Sequence, residues 1–442
     1  MHRPIPHPLA VAIFAGMLQL PAQAALNAVD PGAYVPANGG FPAWYQDSHG
    51  RTLDLCLTKA VSSRVAGAPG APSYMCTLLP TPGVFDDTQP IVFPTNFPDE
   101  AFWFTADAAI VDTARGIDLS YGTAIEAAFA AEEPVEGDQV SFARVRIRVD
   151  VPTAGTYVVT HPYGVEVFDV PVAGRRAINM TRDIGIAGAG DFTGALKGDV
   201  GPCLRSVNGP YTEGNERFIG DPNLEERVTG SPFNTNYVRI EGPGGIDLRT
   251  ELFAVSGKLS EVALPTPLMP QRSTYSRHTE NGDLIAQQDI FVLAPPPPAS
   301  VTLTSQTPNL SLTEANGTGA WYAQSALNPA AGTLVTLSAD NSVAIPTSSL
   351  TTSNVPLTDL VTITQAQYRL STGELTLVAS TSDETTPPVL TAHTGNGTLI
   401  GNLGGTGAVK TLSMTLSPIP PAKVQVTSAN GGSDTEDVVL VP

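Results

Sequence analysis

Apolar and polar residues alternate with a period of two along much of the chain. The clearest run begins at Phe142, where valine and isoleucine alternate with arginine: Val145, Ile147, Val149 and Val151 against Arg144, Arg146 and Arg148. Because successive side chains of a strand point to opposite faces, this pattern predicts strands with one buried and one solvated face. Turn residues recur about every ten positions between such runs, which is typical of β-sandwiches.

The last part of the chain contains two similar copies of one strand pattern. Three landmarks occur in the same order in both copies: Tyr275 and Tyr368, Asp289–Ala294 and Glu374–Ala379, and the GTGA segments at Gly317 and Gly405. The glycines supply positive φ in hairpin turns. A phosphate-binding loop would require a helix after them, whereas the β-like segment AWYAQSAL follows the first copy. The repeat therefore predicts two tandem sandwiches, over residues 263–353 and 354–442.

These two units resemble the immunoglobulin-like tandem modules of bacterial secreted and cell-surface proteins. The resemblance covers residues from near 264 to 442 and lies in strand spacing and pattern, since the Cys-Trp-Cys pattern of antibody domains is absent. It implies two immunoglobulin-like β-sandwiches carried on an exported or surface-exposed protein.

Residues 25–262 have no obvious internal repeat but contain several strand signals. The stretch from Phe142 to Val170 resembles a strand pair of jelly-roll carbohydrate-binding modules, and it contains the segment AGTY, which ends at Tyr157. A tyrosine at such a corner can bond back to the backbone through its hydroxyl. We therefore predict an all-β protein, in which an N-terminal jelly-roll-like sandwich with long loops precedes the two immunoglobulin-like sandwiches.

The first 24 residues have the features of a secretory signal peptide. Arg3 lies in a short charged region, an apolar stretch runs from Leu9 to Leu20, and Ala22-Gln23-Ala24 forms a cleavage site. The apolar stretch is too short to span about 30 Å of hydrocarbon. No later segment has 18 consecutive apolar residues, so we expect an exported protein without a membrane span.

The chain is strongly acidic, with 42 acidic against 23 basic residues and a formal charge of −19. Nucleic acids and anionic lipids are polyanions, so this charge disfavours both as partners. Solubility outside the cell is the simplest interpretation of the charge. We expect the partner to be an extracellular glycan or a protein surface.

The three cysteines suit an oxidising compartment. Cys56 and Cys76 flank a short segment rich in Pro, Gly and Ser, and we predict a disulfide between them. Closing a loop of about 20 residues contributes about 3 kcal/mol in the chain-entropy model. Cys203 could be a reactive thiol or an intermolecular link, but a small buried apolar side chain is the interpretation we favour.

Residues 183–247 carry few strand signals and are predicted to form a long irregular loop. Such loops are often functional. Aromatic and amide side chains suit sugar rings, and a planar guanidinium suits carboxylates. We therefore predict binding residues at Tyr211, Arg217, Phe218 and Tyr237. The alternative is that these aromatics attach the loop to the core.

No motif for catalysis or for transition-metal binding is present. The four histidines that follow the signal segment are not spaced as metal ligands: His49, His161, His278 and His393. Neither C-x-x-C nor the G-x-S-x-G nucleophile motif occurs. Paired acids such as Asp86-Asp87 leave calcium as a possible ligand, although no D-x-D-x-D-G loop is present. We predict no other cofactor.

Three classes of function stay open at this point. The first is a non-enzymatic structural or adhesive protein, secreted or surface-exposed, in which the N-terminal part recognises a partner and the C-terminal sandwiches act as a spacer. The second is a carbohydrate-binding protein, and the third a glycan hydrolase with accessory sandwiches. We expect the first class and a non-enzyme, located outside the cell or in the periplasm.

Overall fold

The computed structural model describes residues 25–306, 308–328, 330–416 and 419–442. The predicted signal peptide, residues 1–24, lies outside the described residues. The fold class is confirmed, because the regular secondary structure of the described residues is nearly all β-strand, and its helices are three short 3-10 helices, at Pro36–Asn38, Thr193–Lys197 and Pro243–Gly245. None of the described helices is long and apolar enough to cross a membrane.

The N-terminal sandwich contains strands β1 to β17, with these bounds: β1 Leu26–Val29, β2 Trp44–Asp47, β3 Thr52–Asp54, β4 Glu100–Asp112, β5 Ile117–Phe129, β6 Gln139–Val151, β7 Gly155–His161, β8 Gly164–Val170, β9 Gly174–Ile184, β10 Arg205–Ser206, β11 Tyr211–Glu213, β12 Glu216–Phe218, β13 Glu226–Thr229, β14 Val238–Gly242, β15 Ile246–Thr250, β16 Leu252–Ser256 and β17 Lys258–Leu259. They form a six-stranded sheet (β1-β2-β3-β17-β12-β11), a seven-stranded sheet (β10-β13-β16-β4-β5-β6-β9) and a four-stranded sheet (β15-β14-β7-β8).

The three sheets bury their apolar faces in one core. The alternation in β6 behaves as predicted, because Val145, Ile147 and Val149 are fully buried while the arginines between them lie on the opposite face. Tyr157 of β7 enters the same core and donates its hydroxyl hydrogen to the carbonyl oxygen of Thr153 at 2.9 Å. The predicted bond from this tyrosine to the backbone is thus confirmed.

The first C-terminal sandwich contains β18 Met269–Glu280, β19 Asp283–Leu293, β20 Ser300–Leu303, β21 Leu310–Ser311, β22 Thr313–Glu314, β23 Ala320–Ser325, β24 Leu334–Asp340, β25 Thr351–Pro356 and β26 Thr358–Asp359. The second contains β27 Val361–Arg369, β28 Glu374–Thr381, β29 Leu390–Thr394, β30 Leu399–Asn402, β31 Val409–Thr415, β32 Lys423–Ser428, β33 Ser433–Asp437 and β34 Val439–Val441.

The two C-terminal sandwiches share one strand order. Strands β23-β19-β18-β26 correspond to β31-β28-β27-β34, with β22 added at the edge of the first sheet, and sheet β21-β20-β24-β25 corresponds to β30-β29-β32-β33. In both, the last strand pairs in parallel with the first. The repeated sequence pattern therefore reflects a repeated topology. Each sandwich also has a hydrophobic cluster of its own.

Tyr275 and Tyr368 lie on corresponding strands but not at equivalent positions. With DIFVLA aligned to ELTLVA, Tyr368 pairs with Leu375, and the equivalent pair in the first copy is Ser273 with Ile290. Tyr275 is therefore two residues farther along its strand, which keeps it on the same face. The correspondence of Tyr275 with Tyr368 as landmarks of the repeat is therefore wrong by two residues along the strand.

The predicted division between residues 353 and 354 falls inside strand β25. This strand continues to Pro356, and β26 then joins the sheet of β18 before β27 begins at Val361. The division of the chain into separately folding units stays a prediction.

The segment 183–247 is less irregular than predicted. It contains strands β10 to β14 and the start of β15, each two to five residues long. Strands this short contain too few alternating positions to give a clear period of two. The prediction of one long structureless loop was therefore wrong.

The cysteines are arranged as predicted. Cys56 and Cys76 form a disulfide, while Cys203 is free and buried. The disulfide packs in a small cluster that also contains Met75 and Phe218.

Candidate functional site

The predicted binding residue Phe218 is fully buried, against the disulfide cluster. Its ring therefore contacts the protein interior and has no face to offer a partner, which corrects its assignment as a binding residue. The alternative interpretation was that these aromatics attach the segment to the core, and it is correct for Phe218.

The other predicted aromatics are half-buried and already have partners. The hydroxyl of Tyr211 donates to Glu226 Oε2 at 2.7 Å, and the Arg64 guanidinium lies over its ring at 3.9 Å. The ring of Tyr237 is covered in the same way by Arg249 at 3.8 Å. Tyr211 belongs to the six-stranded sheet, whereas Tyr237 directly precedes β14 of the four-stranded sheet. The structure thus does not place the predicted residues on one sheet.

Arg217 is the predicted residue that faces an open cleft. It precedes Phe218 in β12, and alternation along the strand turns its side chain away from the buried face that Phe218 occupies. The cleft has an open volume of about 320 Å³. One wall belongs to the N-terminal sandwich, and the other is formed by the connector after β17 and by residues 344–348 of the first C-terminal sandwich.

Three guanidinium groups line this cleft. Arg51 follows the turn between β2 and β3, Arg205 begins β10, and Arg217 lies in β12. Within the described part of the chain, none of the three has a carboxylate oxygen within 4.0 Å. The Nη1 atom of Arg51 is buried and has no hydrogen-bond partner there. Buried charged donors without partners are costly, so this cleft is suited to an anionic group.

The acidic side chain of Asp47, close to Arg51 and Arg205, is already hydrogen-bonded to backbone groups. Asp47 is buried, and its Oδ1 accepts from the Arg51 backbone N–H at 2.9 Å while its Oδ2 accepts from that of Cys203 at 3.0 Å. Burial, followed by the neighbouring Arg51, lowers the pKa of Arg205 to about 10, and Asp47 opposes this shift. Arg205 therefore stays positively charged at neutral pH. The cleft is a local concentration of positive charge in a chain of net charge −19.

The two walls of the cleft are held together by buried polar contacts. His49 Nε2–H donates to the Thr318 carbonyl oxygen at 3.2 Å, and Asn341 Nδ2 donates to the His49 carbonyl oxygen at 3.4 Å. Gly50 has φ +82°, and a Cβ there would lie 3.1 Å from Asn341 Nδ2 and 3.2 Å from a Pro267 carbon. A glycine is therefore required where the turn meets the first C-terminal sandwich.

A second, smaller pocket lies on the seven-stranded sheet, with an open volume of about 240 Å³. It contains the buried Glu126, whose pKa is raised to about 8, chiefly by burial, while Arg144 opposes the shift. Arg144 Nη1 lies 2.9 Å from Glu126 and 3.7 Å from Glu100. Arg144 also pairs with Asp183 at 2.7 Å, so the pocket contains a network of ion pairs.

Among the described residues, no group of three or more potential ligands is arranged to hold a metal ion.

Sequence reasoning missed Arg51 and Arg205. They lie in the segments DSHGR and GPCLRS, which contain no binding motif. The strand order, which brings β12 beside β17 and β3, places Arg51 near Arg217. Arg205 belongs to another sheet and is placed there by the backbone bond from the Ser206 N–H to the Ile219 carbonyl oxygen at 3.0 Å. The sequence offered one signal, the scarcity of basic residues. In so acidic a chain, each arginine is a candidate for a specific role.

No family model matches the chain, and none of the curated proteins compared with it does. Several solved structures have weak similarity to it, among them the following three. A bacterial ice-binding adhesin, studied for its retention at the host cell surface, is 9% identical over 68% of this chain and 91% of its own, with a TM-score of 0.15. SGBP-B from the Bacteroides ovatus mixed-linkage glucan utilization locus, in complex with a mixed-linkage heptasaccharide, is 7% identical over 68% and 63%, with a TM-score of 0.16. Immunoglobulin domains 1–5 of Sidekick-1 are 10% identical over 76% and 73%, with a TM-score of 0.15. Scores this low carry no argument about function.

Proposed function

We propose that the protein is a non-enzymatic adhesive protein, secreted or exposed at a cell surface. The N-terminal sandwich recognises an extracellular glycan or protein surface, and the two C-terminal sandwiches act as a spacer. The observation that carries this proposal is the cleft beside the N-terminal sandwich, which is lined by three arginines that have no carboxylate oxygen of the described residues within 4.0 Å.

The junction between the C-terminal sandwiches supports the role of a spacer. Only Leu360 separates β26 from β27, so the connection is too short for free reorientation. Ser382 Oγ donates to the Tyr275 carbonyl oxygen, and the Arg277 backbone N–H donates to the Ser382 carbonyl oxygen at 2.9 Å. Backbone bonds of this kind fix one sandwich against the next. A fixed connection would hold the recognition surface at a constant distance from the end of the chain.

The location outside the cell rests on the predicted signal peptide and on the disulfide. Disulfides persist in oxidising compartments and are rare in the cytosol. The Cys56–Cys76 bond packs beside β12, the strand that carries Arg217 into the cleft. An oxidising compartment would therefore also stabilise one wall of the cleft.

The proposal is tested with labelled protein on a glycan array and on immobilised extracellular-matrix proteins. We expect selective binding that is lost in Arg217→Ala and retained in the control Arg175→Ala, since Arg175 is an exposed arginine of β9 outside the cleft. Binding to no glycan and to no matrix protein would contradict the proposal.

A hydrolase is the second candidate, because Glu126 has a raised pKa in a pocket of its own. Glycoside hydrolysis needs a protonated acid and an ionised carboxylate that face the same bond. Incubating glycans with the protein and with Glu126→Gln, followed by chromatography of the products, tests this candidate. Products formed by the wild type alone would favour the hydrolase over the adhesive protein.

A further inference from the structure

We propose that the cleft binds the carboxylate of an acidic saccharide, so that the ligand is a glycan containing uronic or other sugar-acid residues. This inference names the ligand class of the recognition site and rests on the proposed function for its biological role. It stands on the arginines, the apolar surface between them and the two walls of the cleft.

The arginines provide a site for a planar anion. A guanidinium presents its N–H groups as a fork that matches the two oxygens of a carboxylate. Arg51 Nη1 is buried and has no hydrogen-bond partner among the residues that the structure describes, and Arg205 is surrounded closely enough for burial to lower its pKa. A carboxylate placed between them would supply the missing acceptor and offset the repulsion between the two cations.

Charge around the cleft favours one small anion over a polyanion. Asp47 is buried behind the arginines, with both carboxylate oxygens bonded to backbone N–H groups. Glu261 is exposed and also lines the cleft. These two acids offset part of the charge of the three arginines and would repel a chain of closely spaced phosphates. A single carboxylate on an otherwise neutral ring meets the positive centre and avoids most of this repulsion.

The remaining surface suits a sugar ring. Leu259 and Ile345 give the cleft apolar wall area, and Ser260 and Thr347 add hydroxyl groups. A pyranose has C–H faces that pack on apolar side chains and hydroxyls that exchange hydrogen bonds. The open volume of about 320 Å³ lies within the range of about 300–1,000 Å³ that is usual for small-ligand sites.

Both walls are needed for this site. The arginines belong to the N-terminal sandwich, whereas Ile345 and Thr347 belong to the first C-terminal sandwich. The buried contacts of His49 with Thr318 and Asn341 keep the walls in place before a ligand arrives. A preformed site avoids the cost of ordering two domains on binding.

The test is calorimetric titration of the purified protein with four probes: glucuronate, a glucuronate-containing disaccharide, the matching neutral disaccharide and a sulfated disaccharide. We expect the acidic disaccharide to bind at least about tenfold more tightly than the neutral one, because the neutral disaccharide has no carboxylate to accept charge-assisted hydrogen bonds from the arginines. Arg217→Ala and Arg205→Ala should each weaken this binding by about tenfold or more. Arg217→Lys should recover part of it, because the charge is kept while the planar fork is lost.

Arg175→Ala is the matched control and should bind as the wild type does. Unfolding curves of each variant separate loss of the site from loss of the fold, and the exposed Arg217 keeps the test decisive if Arg205→Ala fails to fold. Equal affinity for acidic and neutral disaccharides, or unchanged binding in folded Arg217→Ala, would overturn the inference. Tighter binding of the sulfated probe would overturn the assignment to a carboxylate.

The two proposals fail separately. Array binding to neutral glycans or proteins, with no affinity for glucuronate probes, would overturn the ligand class and leave the adhesive function standing. Glucuronate binding in the cleft, with no attachment to any array surface, would support the anion site and contradict the adhesive function.

Discussion

Tyr275 donates its hydroxyl hydrogen to Asp383 Oδ2 at 3.1 Å, across the junction between the two C-terminal sandwiches. The same hydroxyl accepts from Asn430 Nδ2 at 2.8 Å, and Arg277 pairs with Asp383 at 3.2 Å. Tyr275 and Asp383 are both buried. Burial, and then the charge of Asp383, raise the pKa of Tyr275 to about 12, so the hydroxyl remains a donor at neutral pH. One side chain thus connects a strand of the first sandwich to two loops of the second.

We expect Tyr275→Phe to reduce the free energy of unfolding by about 1–3 kcal/mol, because the buried Asp383 and the half-buried Asn430 each lose a partner. Urea denaturation followed by circular dichroism measures this change. Tyr322→Phe is the control, since Tyr322 is 47% exposed on β23. Equal losses in the two variants would show that the junction contributes nothing specific.

Adjacent residues of β12 should respond in opposite ways to truncation. Phe218→Ala should cost about 3–5 kcal/mol of stability, because it leaves a cavity beside the disulfide. Arg217→Ala should change stability by no more than about 0.5 kcal/mol, because its side chain is exposed. Thermal unfolding of both variants is the measurement. A stable Phe218→Ala protein would contradict the burial of this ring.

The disulfide should stabilise the protein by constraining its unfolded state. We expect Cys56→Ser combined with Cys76→Ser to lower the free energy of unfolding by about 3 kcal/mol, given a sequence separation of 20 residues. Denaturant unfolding of this variant and of the wild type measures the loss. Reduction of the wild type should reproduce it.

Cys203 should be protected from alkylation in the folded protein. Burial raises the pKa of its thiol well above the usual value, so little reactive thiolate forms. Mass spectrometry after iodoacetamide treatment should find no modification of the native, non-reduced protein and one modified thiol after denaturation. Rapid native modification would mean that Cys203 is accessible.

Acidification should loosen the contact of the N-terminal sandwich with the first C-terminal sandwich. Burial is the main cause that lowers the pKa of His49 below its ordinary value of 6.5, with Arg51 and Arg205 acting in the same direction and Asp47 and the Thr318 carbonyl against it. Since the folded-state pKa is the lower one, the unfolded chain takes up a proton first. The contribution of neutral His49 to the free energy of unfolding is therefore complete above about pH 6.5, and it is lost as the pH falls towards the folded-state pKa.

The His49 contribution is isolated by comparison with His49→Gln, because the buried His161 also has a lowered pKa. We expect the wild type to lose more stability than His49→Gln between pH 7.5 and pH 5, measured by denaturant unfolding at each pH. Parallel curves for the two proteins would show that His49 does not titrate in this range.

The sequence determined the features that depend on local order. These features involve residues that are close along the chain or patterns that are repeated in it. They are the alternation in β6, the repeated strand pattern of the C-terminal sandwiches, the strand that follows the first GTGA turn and the Cys56–Cys76 bond. Period-two alternation is a property of each strand by itself, so it is readable before any strand has a partner. The same holds for the bond from Tyr157 to Thr153, four residues apart.

Only the tertiary structure decided the candidate site. Arg51 and Arg217 come together because β3, β17 and β12 are neighbours in one sheet. Arg205 of β10 joins them from the seven-stranded sheet, where the next residue, Ser206, donates its backbone N–H to the Ile219 carbonyl oxygen at 3.0 Å. The first C-terminal sandwich then closes the cleft. Strand β12 has only three residues, so alternation could not show whether Phe218 or Arg217 faces the protein core. The position of Tyr275, two residues farther along its strand than Tyr368, likewise emerged only from the strand pairing. Strand order and register depend on long-range packing. The free energy of this packing is distributed over many weak contacts, so no single position in the sequence reveals it.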